Sequence, residues 1–513
     1  MNEAVALLPG YLAWHVLLSA GALVLGLANS LPLAVLASRS PRLRWPLLAF
    51  AGLIQTIPSL ALLALFFPVL LALSSASNAL FGKGFSALGF LPSLLALTLY
   101  SMLPILRTTV TGILGVDPAV REAADGVGMT PRQKLWRVEL PLALPVIMAG
   151  VRTATVWTIG AATLSTPVGQ TSLGNYIFAG LQTENWIFVL FGCAASAGLA
   201  IAADQLLGLM EAGAAHSDRR LVIVGAAGLL AGVALALLPL AATGKPASYT
   251  IGAKNFSEQY ILAELMAGRL EADGAHVARK EDLGSAVAYR ALAAGEIDAY
   301  VDYSGTLWAN ILNRQDNPGR QAVLTRLTTE LMARDGVVVL GSLGFENAYA
   351  FAMRRDRAAA LGVTSLADLA RLSPRLKLGS DIEFLSRPEW KNVDAAYGFS
   401  FARETSYQPT FMYRGLASGD VDVISAFSSD GRIAANDLVV LTDPRGALPP
   451  YDAVILISPK RAADARLLKA LKPLVGAVSV EAMRTANYSV DRDEGKLSPA
   501  AAAVELARTL DQH

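Results

Sequence analysis

Six long apolar segments in the first 242 residues, set apart by short charged loops, limit what this chain can fold into more than any other feature. They occupy about 13–37, 46–73, 91–113, 142–164, 187–210 and 221–242. Each reaches or exceeds the roughly 20 residues of helix that cross about 30 Å of hydrocarbon, so each is predicted to span a membrane. The second is overlong and carries Gln55-Thr56-Ile57-Pro58, which marks either a break within one span or the tip of a hairpin. Charge chooses between them. Arg39, Arg42 and Arg44 accompany the end of the first segment, Arg107, Arg121, Arg132, Lys134 and Arg137 the third, and Arg219 and Arg220 the fifth, whereas the other side holds little beyond Lys83 and Lys245. The positive-inside rule puts those three basic loops in the cytoplasm, so 46–73 crosses once and everything after the sixth span lies outside.

From about residue 250 the chain reads instead as a soluble protein, with the junction near 243–248. A length of 513 residues implies two or three domains, and a mean hydropathy of +0.44 fits a chain that is membrane-embedded only in part. Net charge of +1 gives no reason to expect a nucleic acid partner. One cysteine, Cys193, allows no intramolecular disulfide, and four scattered histidines show no metal-ligand spacing, so no metal and no catalytic centre are expected. The opening MNEAVALLPG lacks a basic n-region, and no signal-peptide cleavage is expected.

Between the third and fourth spans lies a charged island, Asp117 to Pro141. Asp117 before Pro118 is an N-cap and first-turn pair, and Gly126 and Gly128 stop the short helix that follows. Thr130, Pro131 and Gln133 then supply a cap, a first position and a capping-box partner for a second helix. The predicted unit is helix, glycine turn, helix. Glu122, Ala123 and Ala124, then Gly128, Val138, Leu140 and Pro141 stand at the spacing of the EAA loop of bacterial ABC importer permeases, which the island resembles. That resemblance implies coupling residues Glu122, Ala123, Ala124, Gly128, Leu140 and Pro141, docking on a separate cytosolic ATPase that binds the ATP. Valine at 138 replaces the more usual isoleucine.

Polar residues inside spans are costly, which makes Gln55, Thr56, Arg152, Thr153, Thr155 and Thr158 candidates for a translocation path. The threonines can equally bond back to their own helices, and Arg152 can snorkel to the interface. The stretches IQTIPSLALLAL and LPLALPVIMAGVRTATVWTIG resemble permeases of the osmoprotectant branch, which import glycine betaine, choline and carnitine. There five spans form the core, so the sixth here is an addition that carries the chain outward.

In the soluble half YTIGA, a helix over about 257–272, HVARK, a helix over SAVAYRALAAGE, and IDAYV alternate, which predicts βαβ units over a parallel sheet. Ligands in such sheets sit at strand carboxyl ends beside helix N-termini. Lys254, Asn255, Phe256 and Ser257 follow the first strand, where Asn255 is expected to cap the helix with Glu258 as its capping-box partner. Tyr303 with Thr306, Asn347 with Tyr349, and Phe427 with Asp430 follow later strands. Aromatic rings converging from several loops form a cage for a quaternary ammonium group.

The motifs AKNFSEQYILAEL, DAYVDYSGTLW, SDIEFLSRPEW, FSSDGRI and LPPYDA resemble the type II periplasmic binding proteins of the same osmoprotectant family, across essentially all of 249–510. The resemblance implies cage roles for Tyr303 and Tyr349, polar contacts from Thr306 and Lys254, and a pair, Glu383 and Arg387, at the mouth of the second lobe. Phe427, which stands where other members have tyrosine, completes the box with Tyr413, and Asn347 stands where some have aspartate.

The expected architecture is therefore an all-α polytopic membrane domain of the type I ABC importer permease fold (1–215), a sixth span and linker (216–248), and an α/β two-lobed type II periplasmic binding domain (249–513). The lobes are expected over about 249–344 with 452–512, and 347–450. The implied function is uptake of a quaternary-ammonium solute across a bacterial plasma membrane. It would use a homodimer of this chain, bathed in lipid, with the binding domain outside the cell. Ergothioneine is the alternative cargo of the same architecture. A membrane-tethered solute sensor is the alternative from another class, but six spans and short loops leave no output domain. The sequence has no GxxxxGK[ST], so it offers no ATPase site of its own.

Overall fold

The computed structural model describes residues 2–81, 84–183, 185–242, 248–314, 316–381, 384–407, 409–492 and 494–511. Two compact units emerge, Met1–Phe178 with Trp186–Gly244, and Ala179–Asn185 with Lys245–His513.

The first unit is helical: α1 (Asn2–Arg39), α2 (Pro41–Thr56), α3 (Ser59–Phe81), α4 (Phe90–Leu114), α5 (Pro118–Gly126), α6 (Pro131–Lys134), α7 (Leu140–Ala162), the part of α8 (Gly174–Gln182) up to Phe178, α9 (Trp186–Ala215) and α10 (Arg219–Ala242). Among the described residues six helical stretches are long and apolar enough to cross a membrane. Leu190, Ile201, Leu230 and Leu235 are each more than 60% exposed, a surface that water would not tolerate over whole helices and lipid would. The second crossing is shifted from its expected place. Pro58 lacks the N–H needed to continue α2, so the helix ends at Thr56 and the membrane-length segment is Ser59–Phe81, rather than 46–73.

The charged island folds locally as its caps dictate. Asp117 accepts from the Ala119 N–H at 2.8 Å, and Thr130 and Gln133 form the reciprocal capping box. Gly128 takes φ +74°, which a side chain would resist. After α6 the chain does not stop but runs through a single π turn, Leu135–Glu139, into α7. Glu139 on that turn is fully buried and ion-paired with Arg39 at the end of α1.

Arg152 has acidic partners on a neighbouring helix. It grips Asp204 through Nε (2.9 Å) and Nη2 (2.8 Å) and reaches Glu211 at 2.7 Å, tying α7 to α9. Asp204, Gly208 and Glu211 share one face of α9, and a Cβ at position 208 would come within 3.3 Å of the guanidinium carbon. Thr153 and Thr155 bond back to Ala149 and Val151. Gln55, Thr56, Tyr100, Trp157 and Thr158 line a cavity of about 620 Å³ beside the break at Pro58.

The second unit carries two five-stranded sheets. In the first, β1 (Tyr249–Lys254), β2 (Val277–Leu283), β3 (Ala299–Tyr303), β4 (Val338–Glu346) and β10 (Asp452–Ile457) run in the order β2-β1-β3-β10-β4. The second holds β5 (Tyr349–Arg354), β6 (Lys377–Asp381), β7 (Arg403–Tyr407), β8 (Val423–Phe427) and β9 (Leu438–Val440), ordered β7-β6-β8-β5-β9. Parallel β1·β2 and β1·β3 pairs need crossover helices, supplied by α11 (Ser257–Ala272) and α12 (Ser285–Ala293). β10 is antiparallel to both its neighbours because the chain has just returned from the second sheet. The two sheets are thus two lobes joined by two crossings, 347–348 and 441–451. Ile251, Ala253, Ile455 and Ile457, all fully buried, form the centre of the first lobe's core.

Candidate solute-binding cleft

The carboxyl ends of β1 and β3, the start of α11, and the ends of β4, β6 and β8 converge on a cavity of about 400 Å³. Lys254, Asn255, Phe256, Ser257, Tyr303, Thr306, Asn347, Tyr349, Arg387, Phe427 and Asp430 all line it.

The first lobe contributes a stack. Phe256 and Tyr303 lie with centroids 6.1 Å apart and planes at 29°, and Lys254 Nζ stands 5.3 Å from the centre of the Tyr303 ring. Lys254 is no open cation, however: it is buried and ion-paired with Asp302, so it stiffens the strand end instead of presenting charge to the cavity. The second lobe contributes Tyr349, whose ring meets Phe427 at 4.9 Å and, at 88°, Tyr451 at 5.8 Å. Such edge contacts point ring faces in different directions, the arrangement a cation cage needs. Gly305 makes room for Tyr451, since a Cβ there would lie 2.5 Å from that ring. Arg387 sits 5.4 Å from the Tyr349 centroid and pairs with Glu389 at 3.2 Å, while Arg432 pairs with Asp430 at 2.8 Å.

Behind the rings lies Glu258, buried between the lobes. Its Oε1 accepts from the Tyr303 hydroxyl (2.5 Å) and Asn347 Nδ2 (3.1 Å), its Oε2 from the Ser429 hydroxyl (2.6 Å) and Asn487 Nδ2 (2.9 Å). Burial raises its pKa above the ordinary carboxyl value, and these four hydrogen bonds oppose that rise. Burial likewise pushes Asp491 up to about 6, with the nearby Arg432 guanidinium pulling the other way. Four donors, none of them cationic, meet the buried Glu258 carboxyl.

Several expectations need correction. Asn255 does not cap α11, and Glu258 is not its capping-box partner: the N-cap is Phe256, in extended conformation with no side-chain cap bond, and Glu258 turns inward to the network. Tyr413 does not line the cavity but lies beneath it, with the Arg432 guanidinium 4.4 Å from its ring. Glu383 lies outside the described residues. Arg387 is not on a helical face four residues on but is the extended N-cap of the helix Pro388–Tyr397. Tyr349 belongs to strand β5 and not to a loop.

Sequence reading missed Ser429, Arg432, Tyr451, Asn487 and Asp491, which also line the cavity. Tyr451 stood in the LPPYDA motif and was findable. Asn487 and Asp491 share one helical face, i and i+4, but nothing local says what that face meets.

Two lobes closing on an aromatic-walled cleft, in a chain that also carries a membrane helix bundle, define a solute-binding subunit fused to a permease. The comparisons agree. Residues 247–506 match the substrate binding domain of the ABC-type glycine betaine transport system, and residues 30–216 match the binding-protein-dependent transport system inner membrane component. The chain belongs to this ABC importer family, as a fusion of permease and substrate-binding domain. It is 31% identical over 480 residues, 90% of this chain and 83% of that protein, to the ergothioneine transport permease/ergothioneine binding protein EgtU of Helicobacter pylori (strain G27). Over 197 residues, 38% of this chain and 83% of the other, it is 40% identical to the choline transport system permease protein OpuBB of Bacillus subtilis (strain 168). A solved glycine betaine/carnitine/choline ABC transporter structure aligns with 51% of this chain and 98% of its own, at 27% identity and TM-score 0.47.

Proposed function

We propose that this chain captures a quaternary-ammonium solute of the glycine betaine, choline or carnitine kind and conducts it through a bacterial plasma membrane. A separate cytosolic ATPase binds ATP and supplies the power, and two copies of the chain present two coupling loops to two ATPases. Capture takes place outside the cell, and the lobes close on the cargo by hinge motion. The observation that carries this reading is the cavity walled by Phe256, Tyr303, Tyr349, Phe427 and Tyr451 and backed by the buried Glu258. The ligand-contacting set is Lys254, Asn255, Phe256, Ser257, Tyr303, Thr306, Asn347, Tyr349, Arg387, Phe427 and Asp430. Glu122, Ala123, Ala124, Gly128, Leu140 and Pro141 form the ATPase-coupling elbow. Glu122 and Ala123 are exposed there, as a docking surface requires. Calorimetry of the full chain in lipid nanodiscs against choline, glycine betaine and carnitine tests it, and failure of all quaternary ammonium probes to bind would end it.

A second reading, an ergothioneine importer, is favoured by the shared fused arrangement and the 31% identity along 90% of the chain.

A further inference from the structure

The four hydrogen bonds on Glu258 have a geometric effect on its neighbours. A carboxylate offers about four lone-pair sites, and here the protein fills them all. Glu258 therefore keeps little acceptor capacity for cargo. What it does is orient. Asn347, at the crossing into the second lobe, and Asn487, on the helix Val480–Asp491 of the first, both turn their amide nitrogens toward it. Asn487 Nδ2 also donates to the Ser429 carbonyl at 2.8 Å. Rotating either amide would set carbonyl against carboxylate, so the network fixes which way each one faces. The carbonyl ends must then point elsewhere. Both side-chain oxygens are buried, both residues line the cavity, and among the described residues neither oxygen meets a donor. Buried polar atoms left unmatched are rare in folded proteins, and two of one kind on residues that line one cavity call for donors from outside the chain.

A trimethylammonium head cannot supply them, because it has no N–H. Glycine betaine has no donor at all, and choline has one hydroxyl. The cavity of about 400 Å³ lies in the range that accepts cargo larger than either. Resting on the reading of this cleft as the solute site, we propose that Asn347 and Asn487 are specificity-determining residues that accept hydrogen bonds from N–H groups on the cargo. They select a betaine that carries an N–H-bearing ring over one without donors. Glu258 is the positioning residue that holds both amides in the accepting orientation. One amide comes from the crossing between the lobes and the other from a first-lobe helix, so a cargo meeting both lies against the hinge.

The test uses the full chain in nanodiscs and isothermal calorimetry with four probes: glycine betaine, choline, ergothioneine with its ring N–H groups, and the same betaine with both ring nitrogens methylated. The wild type is expected to bind the N–H form at least tenfold more tightly than the methylated form. In Glu258→Gln one donor of the new amide faces an Asn Nδ2 and favours turning that amide over, so the preference for the N–H form is expected to fall at least tenfold. A fold control is the melting temperature of each variant. Because the wild-type comparison needs no variant, misfolding of Glu258→Gln cannot shelter the idea. Equal affinity of the wild type for the methylated and unmethylated rings, with choline or glycine betaine bound as well, overturns this inference and leaves the cleft reading standing. Absence of binding by every probe overturns both.

Discussion

Replacing Tyr303 by phenylalanine and by leucine separates two jobs that one side chain performs. Its hydroxyl donates to Glu258 at 2.5 Å and accepts from Gln259 Nε2 at 3.0 Å, while its ring faces the cleft 6.1 Å from Phe256. Tyr303→Phe deletes the hydroxyl alone. A hydrogen bond to a charged acceptor contributes about 1.5 to 3 kcal/mol, and the Gln259 donor left unmet adds a penalty of similar order. The two overlap, so a stability loss of about 2 to 4 kcal/mol is expected. The π face survives, so choline affinity should fall little. Tyr303→Leu removes that face as well. A cation–π contact of about 0.5 to 2 kcal/mol then disappears, which makes the ratio of the two variants' Kd values about 2 to 30. Calorimetry with choline measures the ratio, and denaturant unfolding followed by tyrosine and tryptophan fluorescence measures the stability. Equal choline affinity in the two variants would show that the ring is not a cation contact, and the cage would have to be given up.

Other consequences are accessible to simpler assays. Glu122→Lys should abolish ATP-driven uptake in proteoliposomes containing the cognate ATPase while leaving solute affinity of the full chain unchanged; uptake at the parental rate would remove the elbow's coupling role. The buried carboxyls give a signed pH dependence. Asp491 has a folded pKa of about 6 against an ordinary 3.8, so it binds its proton more readily when folded, and its contribution to stability falls as pH rises from about 4 to 6. Cation binding prefers the ionised form and should run the other way: choline affinity should weaken at least threefold from pH 7.5 to 5. Asp491→Asn should flatten that trend, and an unaltered pH profile in that variant would exclude Asp491 as its source. In the membrane unit, Glu139→Gln removes the buried charge that holds Arg39. Cutting one partner from a buried pair leaves the other unmet, so the variant should melt lower than the parent and lose coupling to ATP, with solute affinity intact. Parental uptake in Glu139→Gln would assign the pair a passive role.

Arg152 and Glu258 mark where reading a sequence stops. Arg152 is legible as a costly charge in an apolar helix, but its partners Asp204 and Glu211 lie 52 and 59 residues further on, and no local pattern names them. Glu258 was visible only as a plausible helix-start residue, since a capping box places its glutamate three residues past the cap. Nearby residues suffice for that motif, and they mislead here because burial between lobes offered the carboxylate four better donors.

The apolar spacing, the caps at Asp117 and Thr130, the glycine at 128 and the βαβ rhythm after residue 250 were decided by the sequence alone. Each depends on groups within a few residues of one another, or on periodicity along a single element. The breaking of the second span was also written locally, at Pro58, although its shift to 59–81 was not. The acceptor wall of the cleft needed the tertiary structure. Its donors reach Glu258 from 45, 89, 171 and 229 residues away, and only the closing of two sheets on each other brings them to one carboxylate.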